Sequence, residues 1–192
     1  MDILASNIAN GVCLQLSAKE ITEKIVVKSN KMIMEDDYKL LDVLHHFTSG
    51  IKAIAAEMSY YGIDEMRQAC GGAGFLTASG IASLWEDVAP YNTYEGVNVI
   101  MFQQSARYLF KQRAKLDKGK KCTDQFEYLN DLPNLMATKS GANTVEEFLS
   151  WEHIEKAMAT RSLQIVNYTH TLITESKAPS KTKQNELFAL ET

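Results

Sequence analysis

The 192 residues carry 45% hydrophobic and 23% charged side chains and only 3 prolines, which excludes a wholly disordered chain, a collagen and a disulfide scaffold. Twenty basic residues against 24 acidic ones leave a net charge of -4, so no global positive field is available for gripping nucleic acid. Cys13, Cys70 and Cys122 are odd in number and form no CxxC pair; they read as reduced thiols, while no apolar run reaches the length of a membrane span.

Scarce proline and helical hydrophobic spacing predict an all-α fold. Residues 2–27 carry an apolar stripe of Ile3, Leu4, Ile8, Val12, Leu14, Leu16, Ile21 and Ile25, mildly broken at Gly11. Met1 opens on Asp2 without a basic-then-apolar leader, so no secretory signal is expected. Asp36 and Asp37 offer an N-cap for a second helix whose inner face reads Leu40, Leu44, Phe47, Ile51, Ile54 and Met58. Gly62 is expected to punctuate it, with a short helix following through Asp64, Met66 and Ala69.

Seven of the ten glycines lie between Gly50 and Gly96, and residues 71–96 follow no single period, which predicts a long functional loop. Val99, Phe102, Ala106, Leu109 and Phe110 resume helical spacing to about Leu116. Residues 107–121 hold seven basic side chains and one acid, a pattern that suits a solvated helix end running into a linker. Residues 144–176 give another long helical pattern, from Phe148 and Trp151 to Ile165 and Leu172, and the polar tail from Lys177 to Asn185 reads as a loop or linker.

Two stretches carry chemistry. Gln68-Ala69-Cys70-Gly71-Gly72-Ala73-Gly74-Phe75 ends a short helix with three glycines in four positions, which serves a tight turn or helix C-cap as readily as a close approach to a ligand. The preceding helix rules out a Rossmann fingerprint. Thr93-Tyr94-Glu95-Gly96-Val97-Asn98 stands directly before an apolar helix. Glu95 reads as a first-turn acid, as a surface carboxylate, or as a general base facing an apolar, aromatic-lined cleft where desolvation makes it a better proton acceptor. Trp85, Tyr91 and Tyr94 suit either such a cleft or plain core packing. His45 and His46 are adjacent and so point apart on a helix, and no histidine pair or cysteine cluster has ligand spacing, so no metal is expected. Cys70 reads as a small packing residue.

Taken in order, Leu44 to Ala53, Gly62 to Phe75, Ser79-Gly80-Ile81 and Thr93-Tyr94-Glu95-Gly96 resemble the C-terminal helical domain of acyl-CoA oxidases, the peroxisomal branch of the acyl-CoA dehydrogenase superfamily. Ala106-Arg107-Tyr108-Leu109-Phe110-Lys111 and Tyr128-Leu129-Asn130-Asp131-Leu132-Pro133 resemble further segments of the oxidase branch. The resemblance implies a helical bundle domain over residues 1–122 and the start of a second helical domain over residues 123–192. It also implies a C-terminal portion that lacks the family's N-terminal helical and β-barrel domains.

By that resemblance Glu95 removes the α-proton of a fatty acyl-CoA while FAD accepts a hydride from the β-carbon, giving a trans-2-enoyl-CoA, and O2 is then reduced to H2O2. Tyr94 and Gly96 then contact substrate, and Gln68, Gly71, Gly72, Gly74 and Asn98 contact FAD held across a homodimer interface. A role in fatty-acid β-oxidation in the peroxisome follows from the family alone, since Leu190-Glu191-Thr192 is not an SKL-type address. The chain departs from the oxidases at Ala73 and Phe75, where they usually carry histidine and tyrosine, and at Val97, where they carry a second glutamate. The alternatives are an electron-transfer-coupled acyl-CoA dehydrogenase, disfavoured by the Tyr128–Pro133 segment, and a non-catalytic helical dimerisation segment.

Overall fold

The computed structural model describes residues 2–35, 38–131, 134 and 141–175, and its described elements are helices and 3-10 turns without a strand. The chain divides into two compact units, Met1–Ser105 and Ala106–Thr192, so the expected division after residue 122 falls inside the second. The expected caps Asp36 and Asp37, the Leu132-Pro133 pair and the tail beyond Glu175 lie outside the described residues.

In the first unit, α1 spans Asp2–Glu35 without interruption at Gly11. The expected apolar stripe is buried only in part: Leu14 and Ile21 are half-buried, whereas Ile8, Val12 and Leu16 are exposed. α1 meets α2 (Leu41–Ala69) partly through polar contact, with Asn7 Nδ2 donating to Glu65 Oε2 at 3.0 Å. Gly62 does not end α2. A Cβ there would stand 3.3 Å from Asn7 Oδ1, so the glycine makes room for α1 rather than breaking the helix. The fully buried positions of α2 are Leu44, Ser49, Ala53 and Ala56, while Ile54 is 45% exposed. Three of these four are small, so small residues, more than the large apolar ones, mark the buried face of α2.

The stretch from residue 71 to 96 is more ordered than the expected loop. It forms a 3-10 turn at Gly71–Phe75, a second at Thr77–Ser79, α3 (Ile81–Val88) and a third 3-10 turn at Ala89–Asn92. Elements this short leave no readable period. α4 (Asn98–Asp117) follows, one residue longer at each end than its apolar spacing indicated.

The second unit has a core of Phe110, Phe126, Leu129, Leu163 and Val166, with Ile173 packed against Ala106 and Phe110. Asn130 clasps Cys122, its Oδ1 accepting from the Cys122 N–H and its Nδ2 donating to the Cys122 carbonyl, both at 2.8 Å. Arg113 on α4 donates to Asn167 Oδ1 at 3.2 and 3.3 Å. The long helix expected over residues 144–176 is two, α5 (Val145–Phe148) and α6 (Trp151–Glu175). Ser150 separates them because its Oγ accepts from the His153 N–H at 3.3 Å, acting as a new N-cap.

Candidate functional site

The site grows out of the two stretches singled out above, both in the first unit. At the end of α2, Asp64 accepts from Arg67 at 2.6 and 3.0 Å and from Gln68 Nε2 at 2.7 Å. These donors, Arg67 first and Gln68 next, hold the Asp64 carboxyl below its ordinary range. Arg67 also stacks over the Trp85 ring, 5.6 Å from its centroid, and Tyr60 lies 5.4 Å from the same ring. Trp85 thus packs at this helix end, and it does not line the cleft that holds Tyr91 and Tyr94.

The chain then turns sharply. Cys70, which is exposed and not a packing residue, donates its N–H to the Met66 and Arg67 carbonyls. Gly71 follows at φ +57°. Gly74 is buried, and a Cβ on it would lie 2.0 Å from the Arg67 carbonyl oxygen. Its lack of a side chain is required by the fold itself. Gly71 and Gly72 differ: both are exposed, and a Cβ on either would meet nothing within 4 Å. With exposed Gln68 they form a backbone edge that a ligand can reach.

The second stretch is built from the Ala89–Asn92 turn, whose Pro90 carbonyl accepts from the Thr93 and Tyr94 N–H groups and from Thr93 Oγ1. Glu95 then adopts φ +57° and Gly96 φ +106°, and Glu95 is the one non-glycine residue at positive φ among the described residues. A left-handed non-glycine residue costs about 1–3 kcal/mol and persists only where its surroundings hold it. Lys52, on α2, supplies part of that hold. Its Nζ donates to the Tyr91 carbonyl at 2.8 Å, the Gly96 carbonyl at 2.6 Å and Asn98 Oδ1 at 2.8 Å.

Lys52, Ala55, Ala56, Ser59, Tyr91, Tyr94 and Glu95 line one open cleft of roughly 360 Å³. The Tyr91 and Tyr94 rings meet edge-on at 5.2 Å. Partial burial, then Tyr91 and the Glu95 carboxylate, push the Tyr94 hydroxyl above its ordinary range. Tyr94 and Glu95 are brought together, but Glu95 is exposed, so the desolvating apolar surround expected for it is not formed by the described residues. Gln68, Gly71, Gly72 and Gly74 do not line this cleft.

Asn98 was expected to face a cofactor. Its side chain instead turns inward, 4% exposed, accepting from Lys52 and donating to Asn92 Oδ1 at 2.7 Å and to the Ala53 carbonyl at 3.4 Å. Both amide hydrogens are taken within the chain, which makes it a brace of the turn. Lys52 escaped the sequence reading because its partners are two backbone carbonyls and one amide, none of which leaves a spacing signal. The available hint was a lysine set beside Ala53, Ala55 and Ala56, residues small enough to let a second segment approach. His46 acts nearby, Nδ1 donating to the Ser105 carbonyl at 2.9 Å and so tying α4 to α2. Among the described residues no group of three or more potential ligands gathers for a metal, and no described helix is long and apolar enough to cross a membrane.

Residues 2–110 match the family described as acyl-CoA oxidase, C-alpha1 domain. The peroxisomal acyl-coenzyme A oxidase 1 of Arabidopsis thaliana is 33% identical over 129 residues, which cover 67% of this chain and 19% of that relative. Among solved structures, Arabidopsis thaliana acyl-CoA oxidase 1 superposes at a TM-score of 0.81 with 29% identity, over 88% of this chain and 26% of that one. Acyl-CoA oxidase-1 of Caenorhabditis elegans, complexed with FAD and ATP, superposes at 0.70 with 25% identity, over 90% of this chain and 27% of that one. The chain therefore spans about a fifth to a quarter of the length of these relatives.

Proposed function

The chain belongs to the acyl-CoA oxidase family, and we propose that it contributes the catalytic base and one flavin-facing edge to an oxidase acting on fatty acyl-CoA thioesters. The observation that carries this reading is the strained Glu95, placed in the turn before α4 and beside Tyr91 and Tyr94 in an open cleft. On this reading the Glu95 carboxylate takes the α-proton of the thioester. The developing negative charge on the thioester oxygen needs a donor. The Glu95 N–H suits that task, since it donates to no backbone carbonyl among the described residues. Tyr94 and Gly96 flank the reacting carbon, and the two tyrosine rings offer apolar surface to the acyl chain.

Gln68, Gly71, Gly72 and the backbone of Gly74 would hold FAD, because the first three present an exposed edge with free space over the glycines. When bound, FAD supplies the acceptor for the β-hydride, and its reoxidation by O2 releases H2O2. Exposed Phe75, Leu76 and Leu84 beside this edge suit a homodimer that contacts flavin across its interface. The names of the relatives support a peroxisomal location and a place in fatty-acid β-oxidation.

The test is peroxide release from fatty acyl-CoA by the purified FAD-loaded protein. Glu95→Gln should lower kcat by about 10²–10⁴-fold, the range of a positioned general base. Retention of turnover by that variant would sink the assignment.

A further inference from the structure

The Glu95 turn is fastened at both ends by one cation. Lys52 is half-buried, and an ammonium has three hydrogens to donate. All three are engaged: one on the Tyr91 carbonyl ahead of the turn, one on the Gly96 carbonyl directly after Glu95, and one on Asn98 Oδ1 at the first residue of α4. Such charge-assisted bonds are shorter and stronger than neutral ones, and the Gly96 contact, at 2.6 Å, is the shortest of the set. Asn98 extends the clamp, because its amide donates back to Asn92 on the near side of the turn and to Ala53, the neighbour of Lys52 on α2. The left-handed Glu95 and Gly96 therefore sit between two anchored ends, with α2 as the fixed support.

We propose that Lys52 is the positioning residue of the Glu95 turn: it holds the main chain on both sides of Glu95 and so fixes where the carboxylate meets a substrate α-carbon. Lys52 touches no reacting atom on this account; it acts through the turn. The proposal rests on the reading of Glu95 as the base, and its test separates the two.

Lys52→Met keeps the aliphatic stem and removes every donor. In hydrogen exchange on the purified protein, the Thr93 and Tyr94 amides, both bonded to the Pro90 carbonyl, should exchange roughly ten-fold faster, while those of α1 keep their protection. In the FAD-loaded protein kcat for peroxide release should fall about 10²-fold, as expected when a reacting group is misplaced by about an ångström. KM should stay within about two-fold, and the isotope effect with α-deuterated acyl-CoA should rise, because proton removal becomes the slower step. A merely structural loss reduces the active fraction and leaves the isotope effect where it was.

Unaltered exchange at Thr93 and Tyr94, or an unaltered isotope effect, would overturn the role of Lys52. If Lys52→Met loses protection throughout, Lys52→Gln decides by the same two measurements, since it keeps a donor but neither the charge nor the reach. Glu95→Gln with full turnover removes the base reading whatever the Lys52 exchange data show, so the two failures cannot be confused.

Discussion

Gly74→Ala and Gly72→Ala add the same methyl group two residues apart and should behave in opposite ways. At Gly74 the new Cβ would lie 2.0 Å from the Arg67 carbonyl oxygen, 2.8 Å from the carbonyl carbon and 3.2 Å from Cα. Carbon and oxygen in contact stand about 3.3 Å or more apart, so the turn and the end of α2 must separate by roughly 1.3 Å. The obstacle is backbone, and no rotamer change relieves it. Overpacking of this kind costs about 3 kcal/mol, at the upper end of the usual range. For a chain of this size that corresponds to a fall in Tm of roughly 6–12 °C. The separation also disturbs the Arg67 side chain, which holds Asp64 and covers Trp85.

At Gly72 a Cβ meets nothing within 4 Å and φ is ordinary, so Gly72→Ala should leave stability unchanged or raise it by about 0.4–1 kcal/mol. Its effect should fall on flavin affinity, because the methyl group occupies the open side of the proposed cofactor edge. Thermal unfolding followed by far-UV circular dichroism, with flavin titration in parallel, reads both. Equal Tm values for the two variants would refute the steric account of the turn.

Two other outcomes follow from particular contacts. Burial pushes His46 below its ordinary range against an opposing bond to the Ser105 carbonyl, and His170 is pushed down by burial and then by Arg113, with Asp117 opposing. The unfolded chain then takes up protons first on acidification, so their contribution is intact above about pH 6.5 and is lost as pH falls below it. Tm should drop between pH 7.5 and 5.5, less so in His46→Asn; a Tm that rises over that interval contradicts the sign. Asn130→Ala removes both bonds to the Cys122 backbone and should cost about 2 kcal/mol, visible as a lower urea midpoint; an unmoved midpoint would mean water replaces the amide without loss.

The all-helical fold was legible because proline is nearly absent and apolar spacing is regular, and α4 was placed to within a residue at each end. Which side of each helix is buried was less legible. Large apolar residues pointed rightly to Leu44 but also to Ile54, Ile8, Val12 and Leu16, all exposed, whereas the small Ser49, Ala53 and Ala56 are buried. A glycine inside a helix, such as Gly62, reads as a break by propensity, and the approach of Asn7 overrides it. The Gly71–Phe75 and Ala89–Asn92 turns escaped because they are shorter than any period. Of the site, Glu95 and Gly71 were reachable through motif resemblance. Lys52 lies in the matching Leu44–Ala53 stretch, yet no role attached to it, because a lysine bonded to main-chain carbonyls looks, in sequence, like any lysine on a helix surface.

Magnitudes explain how an exposed carboxylate can still be well placed. Left-handed geometry at Glu95 costs about 1–3 kcal/mol, and Gly96 takes its own positive φ at little cost. Hydrogen bonds to a charged group contribute about 1.5–3 kcal/mol each, so three of them, discounted for the partial exposure of Lys52, are of the same size as the strain. The turn is therefore held before any ligand arrives. Proton transfer from a thioester needs two things of the base, a fixed position and a dry surround. On the reading proposed for Glu95, the main chain and Lys52 supply the first and the bound acyl-CoA and flavin supply much of the second. Loss of Lys52 then falls on kcat, while loss of the flavin edge at Gly72 falls on binding, and that separation is what distinguishes a preorganised base from a surface carboxylate.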